Sequence, residues 1–270
     1  MVSYSVGFII VLVVVDCNRD QLIRLLVKCM DSFNFRPIGV IHSCYKEKFG
    51  IPRQAGLVQA AKASLELHPP YDCPDAVAEL RDFSHVWLVF VFHQAMREQW
   101  KPTVRPPRLG GNRRVGVFAS RSPFRPNPIG LSAVTLEEIR CVRGHCSLIL
   151  GGVDLLEGTP VLDIKPYVPY ADSLVDANGG FAAKAPEAEL KVTFSETAAR
   201  QCRHWEAERY PGLRILIEQV LSTDPRPAYR AGQGGVQTFG MRLYDLDVKW
   251  RVQGDDGLEV SGLQLVGKED

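Results

Sequence analysis

Residues 85–93 read HVWLVFVFH, a run short enough and rich enough in branched and aromatic side chains to be a strand, and it decides the fold. Comparable runs lie on both sides: PIGVIHS (37–43), LVQAAKASLEL (57–67), RVGVFAS (114–120), LSAVTLEEI (131–139), CSLILGGVDLL (146–156) and VLDIKPYV (161–168). Gly and Pro punctuate the gaps, so the pattern predicts about seven strands. One helix is predicted among them, over Asp75–Phe83, where Ala76, Val77, Leu80 and Phe83 form an apolar stripe behind a Cys-Pro-Asp start. A parallel sheet needs crossover helices between successive strands, and these are missing. The expected class is therefore mainly β: a single-sheeted, antiparallel, barrel-like N-terminal domain, closed or nearly so, and not a Rossmann sheet.

Further on the pattern changes. Asp176–Glu189, DANGGFAAKAPEAE, combines a Gly pair, small residues and a Pro, and is predicted to be a linker. Past it, Leu190–Phe194 reads as a strand, Ser195 as the start of a helix, and Pro211 as the opening of a second helix carrying Leu213, Ile215, Leu216 and Ile217. Two or three strands built on Phe239–Trp250 and Leu258–Val266 complete a small α+β C-terminal domain. The expected layout is a barrel domain over 33–175, a linker over 176–188 and the small domain over 189–270.

The chain has 270 residues, 46% hydrophobic and 23% charged, with a formal net charge of +1, the profile of a globular protein and not of a disordered tail or a globally basic one. Seven cysteines form no CxxC pair, which argues against a disulfide framework and a structural zinc and for a reducing cytoplasm. Cys141 and Cys146 read as two small hydrophobes. No His spacing suggests a metal ligand set, so no metal is expected. The apolar run Phe8–Val15 is too short for a membrane span and lacks the basic flank of a signal peptide. Residues 1–29 are expected to be an extension that packs loosely or not at all, with Met30 as the true start.

Between Gln99 and Leu136 there is no Asp or Glu, while Lys101, Arg105, Arg108, Arg113, Arg114, Arg121 and Arg125 are all present. The rest of the chain then carries a net −6, so the near-zero total hides a polarised molecule. Segregation of this kind raises the local potential and recruits polyanions. Six prolines stiffen the stretch, and Trp100, Phe118 and Phe124 are interleaved with the cations, as in a nucleic-acid or nucleotide surface. Further on, Asp163, Lys165 and Tyr167 alternate along a predicted strand, which places all three on one face. They are candidates for acid–base work or for an ion pair with an aromatic cap.

With these residues in view, the chain from Phe33 almost to its C-terminus resembles the TrmO/TsaA-like family of S-adenosylmethionine-dependent tRNA methyltransferases, in its bacterial two-domain form. The passages that carry the resemblance are IGVIHSCYKEKFGIPRQAGLV, FSHVWLVFVFHQ, WKPTVRPPRLGGNRRVGVFASRSPFRPNPIGLS, LLEGTPVLDIKPYVPYADS and DPRPAYR. The resemblance implies a barrel methyltransferase working as a homodimer, with the cofactor near the subunit interface. Its implied product is an N6-methyl group on N6-threonylcarbamoyladenosine at tRNA position 37, beside the anticodon.

By motif, the resemblance implies S-adenosylmethionine contacts at Pro52, Arg53 and Gln54, at His93 and Gln94, at Arg121 and Leu131, and along Asp154, Glu157, Gly158 and Thr159. The family's Asp-Gly-Thr-Pro turn here begins with Glu157. Catalytic candidates are Asp163 as proton acceptor, with Lys165 and Tyr167 orienting it or the threonyl carboxylate. Candidate RNA contacts are Arg105, Arg108, Arg113, Arg114 and Arg125 on the basic stretch, and Arg226, Tyr229 and Arg230 in the second domain. The alternative from another class is a non-catalytic RNA-binding β-barrel. A metal-dependent nuclease is disfavoured because no carboxylate–histidine cluster has a suitable spacing.

Overall fold

A computed structural model describes residues 33–184, 190–226, 237–253 and 257–267. Six strands close into a barrel in the order β1 (Gly39–Ser43), β2 (Lys62–Leu67), β7 (His145–Gly151), β6 (Ile129–Val142), β3 (His85–Val91) and β8 (Pro160–Pro166), with β8 returning to β1. Every pairing in it is antiparallel. Along β3, Val86, Leu88 and Phe90 are buried while His85, Trp87 and Val89 alternate outward. Its neighbour β6 does the same, sending Gly130, Ser132, Val134 and Leu136 inward and Leu131 outward. These alternations convert the apolar sequence runs into a filled barrel. Gly130 faces the Phe90 ring so closely that a Cβ there would overlap it, with Cε1 at 2.8 Å and the ring's outer carbons nearer still.

The two-stranded pair β4 (Thr103–Val104) and β5 (Val115–Gly116) carries the basic stretch outside the barrel. A single helical turn, α1 (Pro169–Asp172), follows β8. Beyond the linker, β9 (Lys191–Phe194), α2 (Glu196–Glu208), α3 (Leu213–Ser222), β10 (Thr238–Leu243), β11 (Leu246–Gln253) and β12 (Gly257–Leu265) form a sheet of order β10-β11-β12-β9 with the helices against it. Ser195 caps α2, its Oγ accepting from the Ala198 N–H at 3.1 Å. The barrel interior and the small sheet belong to one apolar core. It passes from Ile41 and Leu148 through Tyr45 and Val58 to Val220, Met241 and Trp250.

Several local expectations are corrected. The segment predicted as a helix over Asp75–Phe83 is two 3-10 turns, Pro74–Val77 and Leu80–Asp82. Ala78 leaves helical geometry at ψ 141° and Glu79 turns left-handed at φ 60°, so the stripe that suggested one helix serves two short turns. In 57–67 only Lys62–Leu67 is a strand, and 114–120 pairs over two residues before turning at Val117–Ala119. The second helix begins at Leu213, after Gly212 at φ 79°, and not at Pro211.

Cys141 and Cys146 are not separate hydrophobes: they stand opposite each other across the β6–β7 hairpin and are joined as a disulfide. The turn between them, Arg143-Gly144, has positive φ at both residues, the geometry of a tight two-residue hairpin that brings flanking side chains face to face. The inference of a reducing compartment from cysteine usage loses its footing with that bond. Residues 1–29, like part of the linker, lie outside the described residues. Among the described residues no helix is long and apolar enough to cross a membrane.

Candidate functional site

At one rim of the barrel four segments converge on a half-open cleft of about 550 Å3. They are the loop after β1, the end of β3, the Ser120–Arg125 loop with the start of β6, and the turn between β7 and β8. The size and the mostly apolar lining, with a few polar groups aimed inward, suit a small organic ligand.

Of the residues implied to hold the cofactor, the cleft brings together Pro52, Arg53, Gln54, His93, Gln94, Arg121, Leu131, Asp154 and Thr159. The Arg121 Nη1 donates to Gln54 Oε1, locking the guanidinium onto the loop that follows β1. Lys48 Nζ donates to the Gln94 carbonyl at 2.7 Å, fixing the turn after β3. Burial pushes the Asp154 carboxyl above the usual range, opposed by the Ser132 hydroxyl that donates to it at 2.7 Å and by nearby backbone N–H groups and Arg121. Burial lowers His93 below an ordinary imidazole, against a hydrogen bond with the Val91 backbone, and Lys48 adds to the lowering.

Glu157 and Gly158 are not brought to the cleft. The Glu157 carboxylate turns toward β1, accepting from the Ser43 N–H at 2.6 Å and pairing with Lys46 at 2.9 Å and His42 at 3.1 Å. Burial pushes this carboxyl up, but Lys46, His42 and the Ser43 amide outweigh it and hold it below the usual range. The Glu in place of the family's Asp therefore braces the turn from behind.

Asp163 and Lys165 share the outer face of β8 and Tyr167 lies one residue past its end, yet none of the three lines the cleft. Asp163 and Lys165 pair at 2.7 Å, with their side chains 47% and 66% exposed. Tyr167 packs on Trp87 with ring centroids 5.7 Å apart, and Trp87 itself lines the cleft. One aromatic contact thus connects the two groups.

The basic stretch stands beside the cleft. Arg105, Arg113 and Arg114 are exposed, and among the described residues no carboxylate pairs with any of them. Arg108 is also exposed but donates to the Lys184 carbonyl. Arg125 is a brace more than a free cation: its Nη1 donates to the Ser120 carbonyl at 2.7 Å, below the Phe118 ring. Arg226 is turned inward and already paired. Its guanidinium is held two-handed by Asp224 at 2.7 and 2.8 Å and the side chain is 10% exposed. Tyr229 and Arg230 lie outside the described residues.

Sequence reasoning missed Lys48, Ser132, Trp87 and Arg97, whose guanidinium lies 3.7 Å from the centroid of Phe124. Ser132 alone left a signal, a polar residue at an inward position of an alternating strand. Among the described residues no group of three or more His, Cys, Asp and Glu is placed to hold a metal.

Fold and cleft together define a barrel protein whose small-ligand site sits at a barrel rim beside a cationic surface instead of at the strand ends of a Rossmann sheet. Comparison with known proteins narrows the class. The profile of the tRNA-methyltransferase O N-terminal domain matches residues 40–173 and that of the TrmO C-terminal domain matches 187–265, and the chain belongs to this family. It is 54% identical over 235 residues to an Escherichia coli protein named tRNA (adenine(37)-N6)-methyltransferase, covering 87% of this chain and 99% of that one. A Pseudomonas aeruginosa putative S-adenosylmethionine-dependent methyltransferase, RcsF, is 52% identical over 83% of this chain and 94% of its own. The crystal structure of TrmO from Pseudomonas aeruginosa superimposes with a TM-score of 0.72 at 44% identity, covering 87% of this chain and 98% of that one.

Proposed function

We propose that the protein is a tRNA (adenine(37)-N6)-methyltransferase that uses S-adenosylmethionine. The observation that carries this is the convergence of the PRQ, HQ, Arg121 and Asp154–Thr159 segments, distant in sequence, on one cleft in a chain of this family. The chemistry of the lining fits the cofactor. Arg53 and Arg121 suit its carboxylate, Asp154 its ammonium or ribose hydroxyls, and Phe90 and Leu131 its flat base. The downward shift of His93 favours its neutral form and so limits repulsion toward a cationic sulfur.

When bound, S-adenosylmethionine supplies an activated methyl group. The chain's own residues then position the acceptor, and alignment of the attacking nitrogen accounts for much of the rate. The acceptor is N6 of N6-threonylcarbamoyladenosine in the anticodon loop. Its carbamoyl group delocalises the lone pair, so removal of the N6 proton matters. Asp163, outside the cleft but on the β8 strand that pairs with β3 and its cleft-lining Trp87, is the proton acceptor, and Lys165 and Tyr167 orient it or the threonyl carboxylate. Asp163→Asn should lower the single-turnover rate at saturating cofactor and tRNA, and a wild-type rate would remove Asp163 from the proton transfer.

Arg105, Arg108, Arg113 and Arg114 meet the phosphates of the anticodon stem and the threonyl group. The exposed Leu131, 55% accessible at the cleft mouth, and Met96 nearby support a homodimer whose interface adjoins the cofactor. The enzyme acts in the cytoplasm, where its tRNA is found. The rival reading, an RNA-binding barrel without catalysis, has no use for the His93, Gln54 and Asp154 set. Mass spectrometry of nucleosides, from tRNA with and without the threonylcarbamoyl group, tests the proposal. The methylated product should form only on the threonylcarbamoyl form, and no product from either would refute it.

A further inference from the structure

The loop between β1 and β2, Cys44–Ala61, delivers Pro52, Arg53 and Gln54 to the cleft. On its cleft side it is tied to the barrel, by Gly56 N–H to the Gly152 carbonyl at 2.8 Å and by Arg121 to Gln54. Its opposite side rests on the small domain from end to end. At the start, the Tyr244 N–H donates to the Cys44 carbonyl at 2.7 Å, Tyr45 forms a bridge with Leu243, and Glu47 Oε1 accepts from the Arg242 N–H at 2.9 Å. In the middle, Gly50 adopts φ 92°, and a Cβ there would stand 3.3 Å from the Met241 sulfur and 3.7 Å from Val220. At the end, the Ala60 N–H donates to Gln219 Oε1 at 2.9 Å, across 159 residues of sequence.

A loop of this length has many shapes of similar energy, and ordering it costs conformational entropy for each residue. Contacts at its start, middle and end that come from elsewhere select one of those shapes before any ligand arrives, which lowers the cost of binding. The cleft wall that carries the PRQ segment is the other face of a surface built by α3 and β10.

Resting on the assignment of the cleft to S-adenosylmethionine, we propose that Gln219, together with the Met241–Arg242 stretch of β10, positions the cofactor loop, so that the small domain sets cofactor affinity with no contact to the cofactor. Gln219 uses only its carbonyl oxygen in this contact. A carboxylate can replace it as acceptor; a hydrocarbon of similar size cannot.

The test is calorimetric titration of S-adenosylmethionine into the full chain without RNA, for wild type, Gln219→Leu and Gln219→Glu, with steady-state methylation of tRNA alongside. Loss of one loop-fixing hydrogen bond should weaken cofactor binding in Gln219→Leu by about three- to tenfold. KM for the cofactor should rise by a similar factor with kcat at saturation kept, and Gln219→Glu should restore both. Wild-type affinity in Gln219→Leu, or equal losses in the two variants, overturns the proposal. Should Gln219→Leu fail to fold, Glu47→Ala unties the opposite end from a half-buried position, and an unchanged affinity there overturns it equally. A wild-type chain that takes up no cofactor removes the cleft assignment and the proposal with it. Uptake that is equal in wild type and variants removes the proposal alone.

Discussion

Replacing Gly130 by Ala puts one carbon where the Phe90 ring already is. The nearest ring atoms would lie within 2.8 Å of the new Cβ, against an ordinary carbon–carbon contact of about 3.5–4.0 Å. Phe90 cannot simply swing aside, because it is buried and packs edge-on against Phe92 with ring centroids 5.1 Å apart. Strand β6 is paired to β3 residue by residue through this point, Phe90 opposite Gly130, so the backbone cannot back away without breaking the ladder. Overpacking of this kind costs about 1–3 kcal/mol. For a domain of this size that corresponds to a fall in melting temperature of roughly 2–12 °C. Differential scanning calorimetry of Gly130→Ala measures it. The double variant Gly130→Ala/Phe90→Leu should recover more than additivity allows, by about 1 kcal/mol, since the smaller side chain vacates the overlap. A single variant that melts with the wild type, or a strictly additive double variant, would refute the steric argument. Both residues line the cleft, so cofactor binding should weaken in the single variant and return in part in the double.

Ser132→Ala removes a donor from a buried carboxylate, a hydrogen bond worth about 1.5–3 kcal/mol, and should weaken cofactor binding by about tenfold or more. Because burial already raises Asp154, losing Ser132 raises it further, and the deficit should be larger at the more acid of two pH values than at the more alkaline. Calorimetry at both values decides it, and an equal deficit would count against the role of the charge. His42 is raised above its ordinary 6.5, first by its hydrogen bond to Glu157 and then, against burial, by Glu66. Its contribution is therefore complete below pH 6.5 and fades as pH rises through the folded value, while that of Glu157 fades as pH falls through a folded value below 4.5. The pair is partly exposed, so melting curves should show a shallow decline of about 1 kcal/mol or less on the alkaline side. Glu157→Gln should reduce it to the part that Glu66 supplies; an undiminished slope would assign it to other groups. Charge reversal at Arg113 and Arg114 should reduce the salt dependence of tRNA binding by about one unit of log–log slope for each phosphate no longer neutralised. Arg226→Ala, whose guanidinium already serves Asp224, should leave that slope unchanged, and the opposite ranking in filter binding would reverse the assignment of these arginines.

The barrel was legible because β3 and β6 alternate cleanly. Val86, Leu88 and Phe90 face in, and the absence of crossover helices left few ways to close the sheet. The Asp75–Phe83 stripe misled because nine residues are too few to separate one helix from two 3-10 turns, and nothing local announces the left-handed Glu79. Arg143-Gly144 did carry a turn signal. Read as a two-residue hairpin, it would have set Cys141 against Cys146. Likewise Asp224, two residues ahead of Arg226 in DPRPAYR, was a visible partner for it. The cleft residues were picked out through motif resemblance, and what sequence could not convey was which side of a turn each faces. Thr159 lines the cleft and Glu157, two residues earlier, points away, because the turn winds about the end of β1. Trp87 and Lys48 stayed hidden because their importance comes from partners distant in sequence, Tyr167 and the Gln94 carbonyl.

Closure of the barrel has a bearing on self-association. A six-stranded ring gives every strand a partner on each side, so no barrel strand is an outermost strand onto which a second barrel's sheet could simply be added. The outermost strands of the small sheet are β9 and β10. The first is only four residues long and starts with Lys191; the second has its far end occupied by Tyr45. Two copies of this chain would therefore meet through side chains on barrel faces and rims. Such an interface can be altered residue by residue without disturbing the backbone ladders beneath it.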